Sequence, residues 1–151
     1  MTMNGLIERY KSFLDEGKTE RECVRRTIAL AEANGYRRLE SVDSLKCGDK
    51  VYVEDYEKAI ALFHIGSEPM EKGMNILGAH IDSPRLDIKM NPLYESEGLV
   101  YLDTHYYGGI KKYQWVAMPL AIHGVVVKTT GEKINVVLGE EDDEFTFTIS
   151  D

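Results

Sequence analysis

Apolar positions recur at helical spacing through the first third of the chain and at strand spacing through most of the rest. Leu6, Ile7, Tyr10, Phe13 and Leu14 fall three and four residues apart, and Gly17 follows as a stop. Thr19 precedes Glu22 by three, the spacing at which each side chain satisfies the other residue's backbone N–H. Val24, Ile28 and Ala31 form the apolar stripe behind that cap, and Gly35 suits the position just past a helix end. The pattern predicts two amphipathic helices.

After Gly48 the period changes. Residues 50–54 and 59–65 read as two strands, separated by the polar Asp55-Tyr56-Glu57-Lys58, a hairpin signal. The run Met74-Asn75-Ile76-Leu77-Gly78-Ala79-His80-Ile81 is almost wholly apolar and is expected to be a buried strand. Pro84 and Pro92 bracket a short extended piece through Leu86, Ile88 and Met90. From Gly98 the reading is β: residues 99–107, 120–128, 133–138 and 145–149, with a hairpin turn at 129–132. The shift near 92–98 from mixed α/β to all-β places the expected boundary between residues 1–94 and 95–151. Two half-sized regions and an abrupt stop after a strand-like segment suggest a piece of something longer. One compact α+β domain ending on an edge strand fits the pattern equally.

Composition narrows the classes. At 151 residues, 43% apolar and 29% charged, the chain has the make-up of a globular protein. Eighteen Lys and Arg against 26 Asp and Glu leave a formal charge of −8. That balance argues against a binder of nucleic-acid backbone or of an anionic membrane surface, both of which need clustered cations. The N-terminal residues lack the cationic start and apolar stretch of a signal peptide. Cys23 and Cys47 sit in no metal-ligand or redox spacing and read as free thiols of a reducing compartment, so a cytoplasmic location is expected.

Chemistry concentrates at Gly78-Ala79-His80-Ile81-Asp82-Ser83-Pro84. Alternation along a strand puts His80 and Asp82 on one face, where an imidazole can ligate a metal while the carboxylate orients its ring. A solvated His–Asp pair at a strand end is the plainer alternative. His105, with Asp103 two residues before it, repeats the spacing and is a second ligand source or an ordinary β-edge residue. His64 reads as a structural or edge residue, and His123 as a hydrogen-bonded structural one. The acidic run 140–144 lacks the alternating spacing and glycine of a calcium loop. Neither Ser83 nor the two cysteines sit in a nucleophile motif.

The segment Asn75 to Pro84, then Leu86-Asp87-Ile88-Lys89, then Tyr107-Gly108-Gly109, then Trp115 with Leu120 and Gly124, closely resembles the N-terminal part of the M18 metallo-aminopeptidases, the aspartyl aminopeptidases. The family pattern is Gly-Ala-His-Thr-Asp-Ser-Pro, Leu-x-x-Lys, Tyr-Gly-Gly and Trp-x-Asp-Arg-x-Leu before a glycine, and its order and approximate spacing are kept over nearly the whole chain. The resemblance implies a co-catalytic two-zinc exopeptidase that removes N-terminal residues, acidic ones in many members, from peptide substrates. It implies His80 as a zinc ligand and Asp82 as the catalytic-site residue orienting its ring. It also implies an α/β catalytic domain interrupted by a β-rich dimerisation domain, and assembly into homo-oligomers. Two departures stand out: Ile81 replaces the motif's threonine, and Ala117-Met118 replace its Asp-Arg pair. The family's bridging aspartate, its glutamate pair, its remaining ligands and its second-domain histidine have no counterpart here. The expectation is therefore the N-terminal portion of an M18-like zinc aminopeptidase, inactive alone, with a non-catalytic β-rich assembly module and a structural His80–Asp82 pair as the alternative.

Overall fold

A computed structural model describes residues 2–140 and 146–150 and shows a mixed α/β chain in two compact units, Met1–Asp82 and Ser83–Asp151. In the first unit, helix α1 (Met3–Glu16) begins at Thr2, whose Oγ1 accepts the Gly5 N–H at 3.3 Å. Helix α2 (Glu20–Ala33) carries the expected capping box. Thr19 Oγ1 accepts the Glu22 N–H at 3.3 Å, and Glu22 Oε2 accepts the Thr19 N–H at 2.8 Å. At the junction, a Cβ on Gly17 would stand 2.8 Å from Cys23 Sγ and 3.0 Å from the Phe13 carbonyl oxygen, so only glycine lets the helices approach so closely. At the far end, Gly35 takes φ +85°, and the N–H groups of Gly35 and Tyr36 donate back to the Glu32 and Ala31 carbonyls, closing the helix in a Schellman motif.

Strand β1 (Arg37–Arg38) pairs in parallel with β2 (Lys50–Asp55), which pairs antiparallel with β3 (Ala59–His64), Tyr52 opposite Leu62. The Asp55–Lys58 turn is closed by the Lys58 N–H donating to the Asp55 carbonyl, with Tyr56 and Glu57 at φ +50° and +57°. The core is small: Cys23, Val24 and Ala31 of α2 with Val51 and Tyr52 of β2. Burying each of the larger side chains contributes about 1.5–3 kcal/mol. The Tyr52 hydroxyl donates to Glu32 Oε1 at 2.6 Å and ties helix to sheet. Removing that proton would break the bond and set two anions together. This, and burial of the phenol, push the Tyr52 pKa above 10.0.

The second unit holds two hairpins. Strand β4 (Arg85–Ser96) pairs with β5 (Leu99–Tyr107) around a turn with Glu97 at φ +54° and Gly98 at φ +78°. The short helix α3 (Lys112–Trp115) leads to β6 (Ile122–Val127), which pairs with β7 (Lys133–Leu138).

Three readings change, and one element is new. Residues 74–81 form no strand: none of them makes a backbone hydrogen bond to another described residue, and Ile76 and Leu77 are 79% and 99% exposed. An apolar run becomes a buried strand only when neighbours pair with its edges and cover its faces, and no described strand does so. Pro92 does not end the following strand but sits inside β4, where the register breaks between Ile88 and Leu93, a place that tolerates a residue without an N–H. In the predicted strand 145–149, Phe147 makes an isolated bridge to Leu120 and no strand is assigned among the described residues 146–149, while Phe145, like residues 141–144 of the acidic run, lies outside the described residues. Helix α3 is too short to leave a periodic signal.

Candidate metal centre

His80 and Asp82 close the first unit and stand together. His80 Nδ1 lies 3.0 Å from the Asp82 carbonyl oxygen and 3.2 Å from Asp82 Oδ1. Both partners can only accept, so in the neutral ring the proton belongs on Nδ1 and the lone pair on Nε2. The His80 side chain is 85% exposed. The pair is thus local, set by two intervening peptide bonds, and it is the arrangement in which a carboxylate fixes the tautomer of a metal-ligating imidazole.

A neutral imidazole nitrogen is one ligand type that a zinc ion takes, the remainder being further nitrogen, oxygen or sulfur ligands. His80 would hold the metal through Nε2, with Asp82 behind it. Among the described residues, no group of three His, Cys, Asp or Glu is placed to hold a metal ion together.

The other candidates separate by their surroundings. Asp103 accepts from Lys89 Nζ at 2.9 Å, while His105 lies across the hairpin from Asp87. His123 Nε2 meets Glu140 Oε1 at 3.0 Å, the hydrogen-bonded role expected of it. His64 ends β3, exposed. The buried Cys23 Sγ donates to the Gly17 carbonyl at 3.0 Å. Its pKa is pushed up, first by desolvation and then by Glu22 and Glu20, so it remains a thiol without nucleophilic character. Cys47 is free and exposed.

In the second unit two distant motif elements meet. A Cβ on Gly108, which adopts φ +72°, would stand 3.6 Å from Pro84 Cγ, and the Arg85 guanidinium stacks 4.1 Å over the Tyr107 ring while its Nε donates to Asp87 Oδ1 at 2.7 Å. Sequence reasoning singled out Tyr107-Gly108-Gly109 but missed Arg85. Its only signal was a cation directly after Ser83-Pro84.

A mixed α/β chain with an oriented, open imidazole has the makings of a metalloenzyme segment, and comparison with known proteins specifies which. The family model described as aminopeptidase I zinc metalloprotease (M18) matches residues 13–146. The chain belongs to the M18 family. It is 55% identical over 150 residues to a probable M18 family aminopeptidase 1 of Clostridium acetobutylicum, covering 97% of this chain and 32% of that protein. It superposes on the crystal structure of the Thermotoga maritima M18 aminopeptidase with a TM-score of 0.90 at 40% identity, covering 98% of this chain and 33% of the other. For the Borrelia burgdorferi aminopeptidase I the TM-score is 0.89 at 39% identity, covering 98% and 37%. The chain spans about a third of the length of the curated relatives it matches.

Proposed function

We propose that this chain carries the N-terminal portion of a zinc-dependent aminopeptidase, with residues 1–94 belonging to its catalytic α/β domain and 95–151 beginning an inserted β-rich domain. His80 supplies a metal ligand and Asp82 orients it. The single observation that carries the reading is the His80–Asp82 pair, which engages Nδ1 and leaves Nε2 without a contact from Asp82, within a chain of this family. When bound, zinc in such a site lowers the pKa of a water and polarises the scissile carbonyl. What the chain itself does is narrower. Asp82 accepts from His80 Nδ1, so the neutral ring presents a lone pair at Nε2 instead of an N–H. Peptide substrates with acidic N-terminal residues, assembly into homo-oligomers and a cytoplasmic location belong to the same proposal. The chain alone is inactive on this reading, because one ligand and one orienting carboxylate fall short of the three protein ligands and general base a catalytic zinc site uses.

Zinc titration tests the ligand role, read by competition with a chromophoric chelator in a Cys47→Ser background that removes the exposed thiol. The wild-type His80 chain is expected to bind at least tenfold more tightly than His80→Ala. Asp82→Asn is expected to fall between them, since loss of an orienting carboxylate costs roughly 10–100-fold in affinity. Equal binding by all three would reject His80 as a ligand and leave the non-catalytic assembly module.

A further inference from the structure

We draw no further inference here: the strongest candidate, the side-chain cluster of Arg85, Asp87 and Tyr107 at the base of the β4–β5 hairpin, carries nothing, because the Arg85 guanidinium is taken up by the Tyr107 ring and by Asp87 Oδ1 and the cluster belongs to the motif contacts already described.

Discussion

Tyr52 shows how one side chain can do two jobs in so small a core. Its ring is fully buried on β2, and its hydroxyl reaches Glu32 on α2, so packing and helix-to-sheet attachment share a residue. Tyr52→Phe keeps the ring and removes the bond. We expect a loss of about 1 kcal/mol in urea unfolding, the usual net worth of one hydrogen bond whose partner stays within reach of water. The pH dependence has a definite sign. A phenol whose pKa is higher folded than unfolded contributes its full stability below 10.0 and loses it as the pH rises through the folded value. The wild type should therefore weaken in alkali more steeply than Tyr52→Phe, and parallel curves would remove the bond from the account. Individual residues of this kind were only partly legible in the sequence. His80 and Asp82 could be paired from spacing, because two residues suffice to bring them together. The Tyr52–Glu32 bond spans twenty positions and no local rule announces it.

Elements were most legible where their ends carry their own hydrogen-bond chemistry. Thr19 with Glu22, Gly17 and Gly35 mark the limits of α1 and α2 through contacts within a few residues. The β2–β3 hairpin was also readable, although its turn breaks the usual preference. Tyr56 and Glu57 both hold left-handed conformations that favour glycine and asparagine. Arg21 compensates from α2, donating to the Tyr56 carbonyl at 3.1 Å and to Glu57 Oε2 at 3.3 Å. Tyr56→Asn leaves that carbonyl in place, removes a ring that is 83% exposed and eases the strain. It should raise stability by up to about 1 kcal/mol in thermal unfolding. A destabilised variant would mean that the Tyr56 side chain contributes packing the geometry does not display. The misread elements fail for a common reason. Residues 74–81 have the composition of an inner strand, and β4 runs through a proline, because ladder formation depends on partners that composition does not reveal.

At the scale of the molecule, the chain leaves much apolar surface uncovered: Leu6, Ile7, Tyr10 and Leu14 on α1, Met74, Ile76 and Leu77, and Met90, Leu93 and Val100 on the β4–β5 hairpin. No helix among the described residues is long and apolar enough to cross a membrane. The chain alone should turn over no aspartyl or glutamyl anilide. A hybrid in which it replaces the matching third of the Clostridium acetobutylicum aminopeptidase should regain hydrolysis, and His80→Ala in that hybrid should abolish it. Hydrolysis by the isolated chain, or by the His80→Ala hybrid, would refute the assigned roles. The sequence by itself determined what short-range chemistry can determine: two capped helices, the hairpins between turn residues, the family, and an imidazole held by a carboxylate two positions away. Tertiary structure decided which apolar runs are buried, which strands find partners and whether distant ligands converge. Those outcomes depend on groups far apart along the chain, and an apolar run has the same pattern whether or not anything packs against it.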